Sequence, residues 1–515
     1  TVTVTGAGSK LEVTRTTSLL DNLLQIGGSG FGRLNVENGG QVSVRDIAMS
    51  SNAGFDNTGG AIKVSGAGSA IVADTLRNRS RNNDVNDAGA ITIENGGRIS
   101  TTTVELDGGP ADDSSKAKQT LITGHGSVWD NSGNFTSYRS MTIQDGGKLT
   151  TANAELRGMS TSLATTYLTG AGSSFAATGT ITIGDDSNHN LVVSNGATLS
   201  AKEIVLGGNA SGGVNLGALT FGGKVAFDVF DNAASVAAEA AGRLNENARI
   251  TFSGRDGQLL FNHTNTAYEF KNAIAGDGTI VSLAGETILS GDMTKFLGTD
   301  SVTGGVVVKG GSRLVMSGSF GTDASNDGRY GITGPSMLIL VDHGTLVING
   351  ETGHVFTNGV GDSTYTSRVY VGGQSDTDPN RFGRLAGTGT VGSVRLYGLG
   401  DGSGRHAVIA PGNNSVGTLT VLGQLEFGNG SIYEVDILGN GTSDLIRVLP
   451  VGTNAPSASQ GGVKIGTGVN VEVTALDPEV SYQNGQTYTI LTAAGGIDGR
   501  FAQAITKSAF LGVSL

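Results

Sequence analysis

The sequence predicts an all-β fold, a right-handed parallel β-helix with short protruding loops, and three observations predict it. Two glycine-rich phrases interleave through the first two hundred residues. The strands between them are only about four to six residues long and alternate apolar with hydroxyl side chains. The composition suits many thin layers: 85 Gly against 7 Pro, with 15% charged and 5% aromatic residues among 515. A chain so poor in large side chains does not fill a spherical core, and glycine without a three-residue period excludes collagen.

The first phrase is Gly-Ala-Gly-Ser, at Gly6–Ser9, Gly66–Ser69 and Gly170–Ser173, with Gly124-His125-Gly126-Ser127 as a variant. The second is a strand running into an Asn/Asp-Gly turn: LNVENGGQVSV from Leu34, ITIENGGRIS from Ile91, MTIQDGGKLT from Met141 and LVVSNGATLS from Leu191. Together they form a superrepeat of 46 to 60 residues, in the range of solenoids. Asn-Gly turns also suit hairpins. Equivalent strands recurring once per unit, however, stack most simply in parallel. At ~20–25 residues per coil and ~4.8 Å between coils, the chain predicts on the order of 20 coils and a rod of roughly 100 Å.

Three polar stretches interrupt the rhythm and are expected as protruding loops: Arg77 to Asp87, Asp107 to Lys118, and Glu351 to Arg381. The Ala-rich stretch 231–248 predicts a short helix or helical loop. The chain divides into β-helical repeats over 1–382 and a C-terminal segment over 383–515. Thr1 opens in mid-pattern, so we expect a piece of a longer protein.

Chemistry is sparse. There is no cysteine, and the net charge of −12 disfavours nucleic acid as a partner. No Gly-Asp-Ser-Gly or convincing Gly-x-Ser-x-Gly occurs, and the six histidines lack metal-ligand spacing, so neither enzyme activity nor a metal or cofactor is expected. The histidines are expected at solvated turn or rung positions. The acidic pairs Asp112-Asp113 and Asp185-Asp186 are expected as solvated loops, and Trp129 as packing at a turn. Candidate partner-binding residues are Arg77, Arg79, Arg81, Asp112 and Asp113.

The C-terminal segment carries a resemblance. Leu385-Ala386-Gly387-Thr388-Gly389-Thr390-Val391-Gly392, then Ile409-Ala410-Pro411-Gly412-Asn413-Asn414-Ser415-Val416-Gly417-Thr418-Leu419-Thr420-Val421, resembles the passenger C-terminus of Gram-negative type V autotransporters. So do Tyr433–Ile437 with Ser443–Ile446, and Tyr488–Ala493 with Gly496–Phe501. The paired Asn413 and Asn414 depart from the family phrase, which has one Asn there. The resemblance implies a passenger at the bacterial surface, anchored or released, whose membrane β-barrel is not in this chain. It also implies that 383–515 acts as an autochaperone that folds first, with Pro411, Gly412, Asn413 and Gly417 in the matching phrase; on physical grounds Phe427, Tyr433, Tyr482, Tyr488 and Phe501 are expected to supply an aromatic core that blunts the open end. The function then expected is adhesion to host cells or matrix, with self-association of passengers, a glycan-active enzyme or a structural stalk as alternatives.

Overall fold

The computed structural model describes residues 1–13, 23–28, 30–51, 59–79, 89–107, 120–158, 163–185, 187–207, 216–225, 237–254, 256–297, 305–321, 337–352, 355–357, 363–365, 367–372, 382–398, 406–451 and 461–515. They form the expected parallel β-helix, organised as two compact units, Thr1–Thr264 and Asn265–Leu515.

In the first unit each coil contributes one strand to each of three parallel sheets. The opening coil does so with Val2–Thr5, Lys10–Glu12 and Leu23–Gly28, and Phe31–Glu37 then lies in register on Val2–Thr5. Strand alternation explains the core. Val36, Val64, Ile93, Ile122, Ile143, Leu168 and Val193 stack in register, all buried. The ladder ends in Phe221 over Phe261, rings stacked 5.9 Å apart. Their outward neighbours are mostly Thr, Asn, Lys and Glu.

The superrepeat is two coils, and side chains at the corners explain why its phrases alternate. In each Asn/Asp-Gly-Gly corner the Asn or Asp takes a left-handed backbone (Asn38 φ 54°, Asn95 φ 54°, Asp145 φ 52°). The next N–H is capped by the serine of the following coil: Gly39 to Ser69 Oγ at 3.0 Å, Gly96 to Ser127 Oγ at 3.1 Å, Gly146 to Ser173 Oγ at 3.0 Å. The second glycine lies against the coil before it, where a Cβ on Gly40, Gly97 or Gly147 would sit 2.3, 2.5 or 2.4 Å from a backbone oxygen. Each phrase therefore completes the corner of its neighbour.

Two expectations need correction in this unit. Arg77 and Arg79 lie on a strand, Thr75–Arg79, which pairs in register with Thr103–Leu106, so the first loop does not begin at Arg77. The Ala-rich stretch is not helical over 237–248. Ala240 and Ala241 accept the N–H groups of Asn195 and Gly196, and Arg243–Leu244 joins the second sheet beside Thr198–Ser200. Sheet pairing overrides alanine's helix propensity; residues 231–236 lie outside the described ones.

The second unit keeps the coil but loses the regular corners. One nine-stranded sheet runs from Tyr268–Phe270 to Gln503–Thr506, and a six-stranded sheet from Ser319–Phe320 to Leu491–Ala493. Here the outward row Val315, Val347, Ala386, Ala410 is buried too, with Ile288 against it. Runs such as Leu314-Val315-Met316 are therefore continuously apolar rather than alternating. The polar stretch from Glu351 holds strands Glu351–Thr352 and Ser367–Val371, and between them an antiparallel hairpin of Val355–Thr357 with Ser363–Tyr365. Its expectation as a protruding polar loop is thus corrected over those strands, although SDTDPNR lies outside the described residues. The one helical element among the described residues is a single 3₁₀ turn, Glu479–Ser481.

Candidate functional site

The C-terminal segment places its conspicuous residues around one buried carboxylate. Strand His406–Pro411 runs into a tight turn whose Gly412, Asn413 and Asn414 are all left-handed, at φ 77°, 57° and 67°. A side chain on Gly412 would collide with the Ser415 carbonyl. The Gly412 N–H donates to Gly387 O at 3.0 Å, and Ser415 Oγ donates to Gly412 O at 2.7 Å. Gly417 closes the turn by donating its N–H to Asp444 Oδ1 at 2.7 Å.

The other oxygen of Asp444 accepts the Asp436 N–H at 2.9 Å, and the Asp444 N–H donates to Asp436 O at 2.8 Å. One side chain thus joins the turn to strand Ile432–Ile437. Asp444 is only 1% exposed. Burial pushes its pKa up to about 7, opposed by the two N–H bonds and by Arg384, and reinforced by Asp436. Arg384 pairs with Glu434. Asp436 is raised as well, by burial, with Arg384 opposing.

Beside this carboxylate three rings meet. Phe427 and Phe501 are edge-to-face at 5.5 Å, and Tyr433 lies 6.1 Å from each. Tyr433 is fully buried and donates its hydroxyl to Ile490 O. Tyr488 and Tyr482 stand apart from the cluster. They donate to Leu438 O at 2.9 Å and Ile437 O at 2.8 Å, bracing the turn after Ile437. Asn413 also has a partner far away in sequence: its Oδ1 accepts from Arg313 Nη1 at 3.3 Å, and Arg313 is paired with Glu286 at 3.3 Å. Sequence reasoning missed Asp444 and Arg384 as site residues. The available signal was a lone acid opening an apolar strand, Asp444-Leu445-Ile446.

In the first unit the proposed loop residues divide. Arg77 and Arg79 point outward from their strand and both reach Glu105 of the next coil, each at 3.5 Å. Arg81, Asp112 and Asp113 lie outside the described residues. The bases of the two loops are tied together by Arg139, buried, whose Nε donates to Asp107 O and whose Nη1 donates to Gly89 O at 3.5 Å. Burial pulls its pKa down to about 10, against the charge of Asp107.

Two histidines expected in solvated places are buried, His189 and His263. His189 Nδ1–H donates to Arg157 O at 2.8 Å, and Nε2 lies 3.0 Å from Thr166 Oγ1, whose hydroxyl can donate to it when the ring is neutral. Burial lowers its pKa to about 4. Asp185 is paired with Arg157 at 3.0 Å rather than lying free, while Asp186 is outside the described residues. Trp129 sits within a strand, fully buried, edge-to-face with Phe135 at 5.3 Å and donating to Thr101 Oγ1 at 3.0 Å. The described residues hold no group of three or more metal-ligand side chains.

No family model matches the chain. The chain is similar to an extracellular serine protease of Serratia marcescens, 31% identical over 202 residues, which is 38% of this chain. The match spans 17% of that protein's length. This similarity overturns the expectation of a non-enzyme, since the relative is named as a protease and an enzyme is possible here. The relative is extracellular, in keeping with a secreted or surface location.

Proposed function

We propose that this chain is the β-helical passenger of a bacterial autotransporter, exposed at the cell surface or released, and that it acts as an adhesin toward host cells or extracellular matrix. The observation that carries the passenger reading is the stack of parallel coils with its carboxylate and aromatic cluster in the C-terminal segment, alongside the similarity to a secreted protein. The adhesin reading rests on the resemblance and on outward faces rich in Thr, Ser and Asn that offer hydrogen bonds to a partner. Residues 383–515 serve as the autochaperone: an open β-helix end exposes unpaired strand edges, and a cluster that closes locally lowers the entropy cost of the first coil.

Two measurements test this. The chain applied to an array of matrix proteins and to host cells binds at least one of them; binding to none, with clumping of displaying bacteria, replaces adhesion by self-association. Residues 1–382 alone refold far more slowly than the whole chain; equal refolding rates and melting curves remove the autochaperone role.

The similarity favours a second reading, in which the β-helix is the scaffold of a secreted serine protease. A fluorophosphonate probe that labels a serine of this chain, or cleavage of casein by it, establishes that reading.

A further inference from the structure

We infer that the Asn-Gly corners of the first unit are protein-modification sites, held back from deamidation at Asn38 and Asn95 by the serine hydroxyl of the following coil. Asn38-Gly39, Asn95-Gly96 and Asn195-Gly196 all place the Asn at the surface. In an Asn-Gly pair the glycine nitrogen, having lost its proton to base, attacks Cγ of the Asn. A C–N bond forms, the bond from Cγ to Nδ2 breaks, and ammonia leaves. Water then opens the resulting five-membered imide at either carbonyl, giving aspartate or isoaspartate. The nitrogen is reactive only when its N–H is free to be deprotonated and to turn toward Cγ.

At these corners it is not free. Gly39 N–H donates to Ser69 Oγ at 3.0 Å and Gly96 N–H to Ser127 Oγ at 3.1 Å. Gly196 N–H donates instead to the Ala241 carbonyl, at 3.2 Å. Reaction therefore requires local opening of the corner. The Asn side chains are held as well: Asn38 Nδ2 donates to Thr5 Oγ1 and Asn95 Nδ2 to Ser65 Oγ, both at 3.1 Å.

The fold already contains the product. Asp145 occupies the same corner two coils beyond Asn95, with the same left-handed backbone, and accepts from Thr123 Oγ1 at 3.0 Å. The hydroxyl of the preceding coil has turned from acceptor to donor. Thr5 would do the same for an aspartate at position 38. Asn195 differs, because its Nδ2 also donates to Glu239 Oε2 at 2.9 Å, so an aspartate there would set two carboxylates together.

The test is peptide mapping by mass spectrometry of the full chain after incubation at mildly alkaline pH, comparing wild type with Ser69→Ala and Ser127→Ala. Losing one hydrogen bond favours opening about five-fold. In Ser69→Ala, conversion at Asn38 should rise by about that factor relative to Asn195 in the same molecules, with Asn95 unchanged. In Ser127→Ala the rise should move to Asn95. No rise in either variant, or an equal rise at all three sites, overturns the inference.

Discussion

The two units build the same coil with different corner chemistry. In the first, corners are glycines and hydroxyls that repeat, each coil capping the one before it, and the core is a ladder of single apolar rows. In the second, the corners around 411–417 and 436–444 depend on a buried carboxylate, a half-buried ion pair and three rings, Phe427, Tyr433 and Phe501, the last from the far end of the segment. A repeat of identical corners spreads stability evenly, whereas a shared cluster concentrates it. The largest contrast should come from truncating one ring in each. Trp129→Ala and Tyr433→Ala should each cost about 4 kcal/mol. In hydrogen exchange, Trp129→Ala should lose protection only in its own and adjacent coils. Tyr433→Ala should lose it throughout 418–451 and 461–506, because the side chain supports Phe427 and Phe501 and the Ile490 carbonyl together. Equal spread of the two effects would remove the distinction.

The units should also respond to pH with opposite sign. The folded pKa of Asp444 is about 7, above the ordinary carboxylate value. The folded chain thus holds that proton more tightly than the unfolded chain. Its contribution is fully present below about pH 4 and is lost as pH rises through about 7, on the order of 3 kcal/mol. His189 has a folded pKa of about 4, below the ordinary imidazole value. Its contribution is present above about pH 6.5 and is lost as pH falls toward 4, again on the order of 3 kcal/mol. Melting followed by exchange should show the second unit weakening from about pH 4 to 7 and the first weakening from about pH 7 to 4. Asp444→Asn should flatten the response of the second unit alone.

How much of this was legible in the sequence follows the same division. The repeats of the first unit announce themselves, because a coil that stacks on copies of itself needs the same residue at each corner. Gly39, Gly96 and Gly146 therefore recur with Ser69, Ser127 and Ser173. The helix expected at 231–248 is absent over 237–248 because alanine's local preference is weak beside the open sheet edge that Ala240 and Ala241 complete. The carboxylate site was hidden for another reason. Asp444 and Gly417 are 27 residues apart and meet only once the coil is wound. Only their resemblance to a family phrase drew attention to that region, and it singled out Tyr488 as readily as Tyr433, though only Tyr433 joins the rings.

The glycine corners offer a finer test within the first unit. Gly97→Ala places a Cβ 2.5 Å from the Val64 carbonyl oxygen, backbone that cannot swing away, and should cost about 2 kcal/mol. At Gly68 the nearest atom would be Gly39 Cα at 3.5 Å, so Gly68→Ala should cost only the left-handed backbone, about 1 kcal/mol. Denaturant titration of the two variants distinguishes them. Equal costs would mean that backbone conformation, and not the closeness of the coils, dictates glycine in the repeats.

The smallest expected effect concerns the additional asparagine of the Pro411 turn. Asn38 in the first unit and Asn413 in the second share a left-handed backbone, the first exposed and the second half-buried, and their reach differs. Asn38 touches the adjacent coil at Thr5, while Asn413 meets Arg313, 100 residues earlier in the chain. Glycine keeps the backbone conformation in both, so each substitution isolates the side-chain bond. Asn413→Gly should cost at most about 1 kcal/mol, since Arg313 retains Glu286. A double-mutant cycle with Arg313→Ala should return a coupling of a few tenths of a kcal/mol. A coupling near zero would reduce Asn413 to a conformational spacer like the glycine that replaces it. A coupling of the expected size would make it a long-range tie, of a kind absent from the Asn38 corner, that links the Pro411 turn to strand Ser312–Met316.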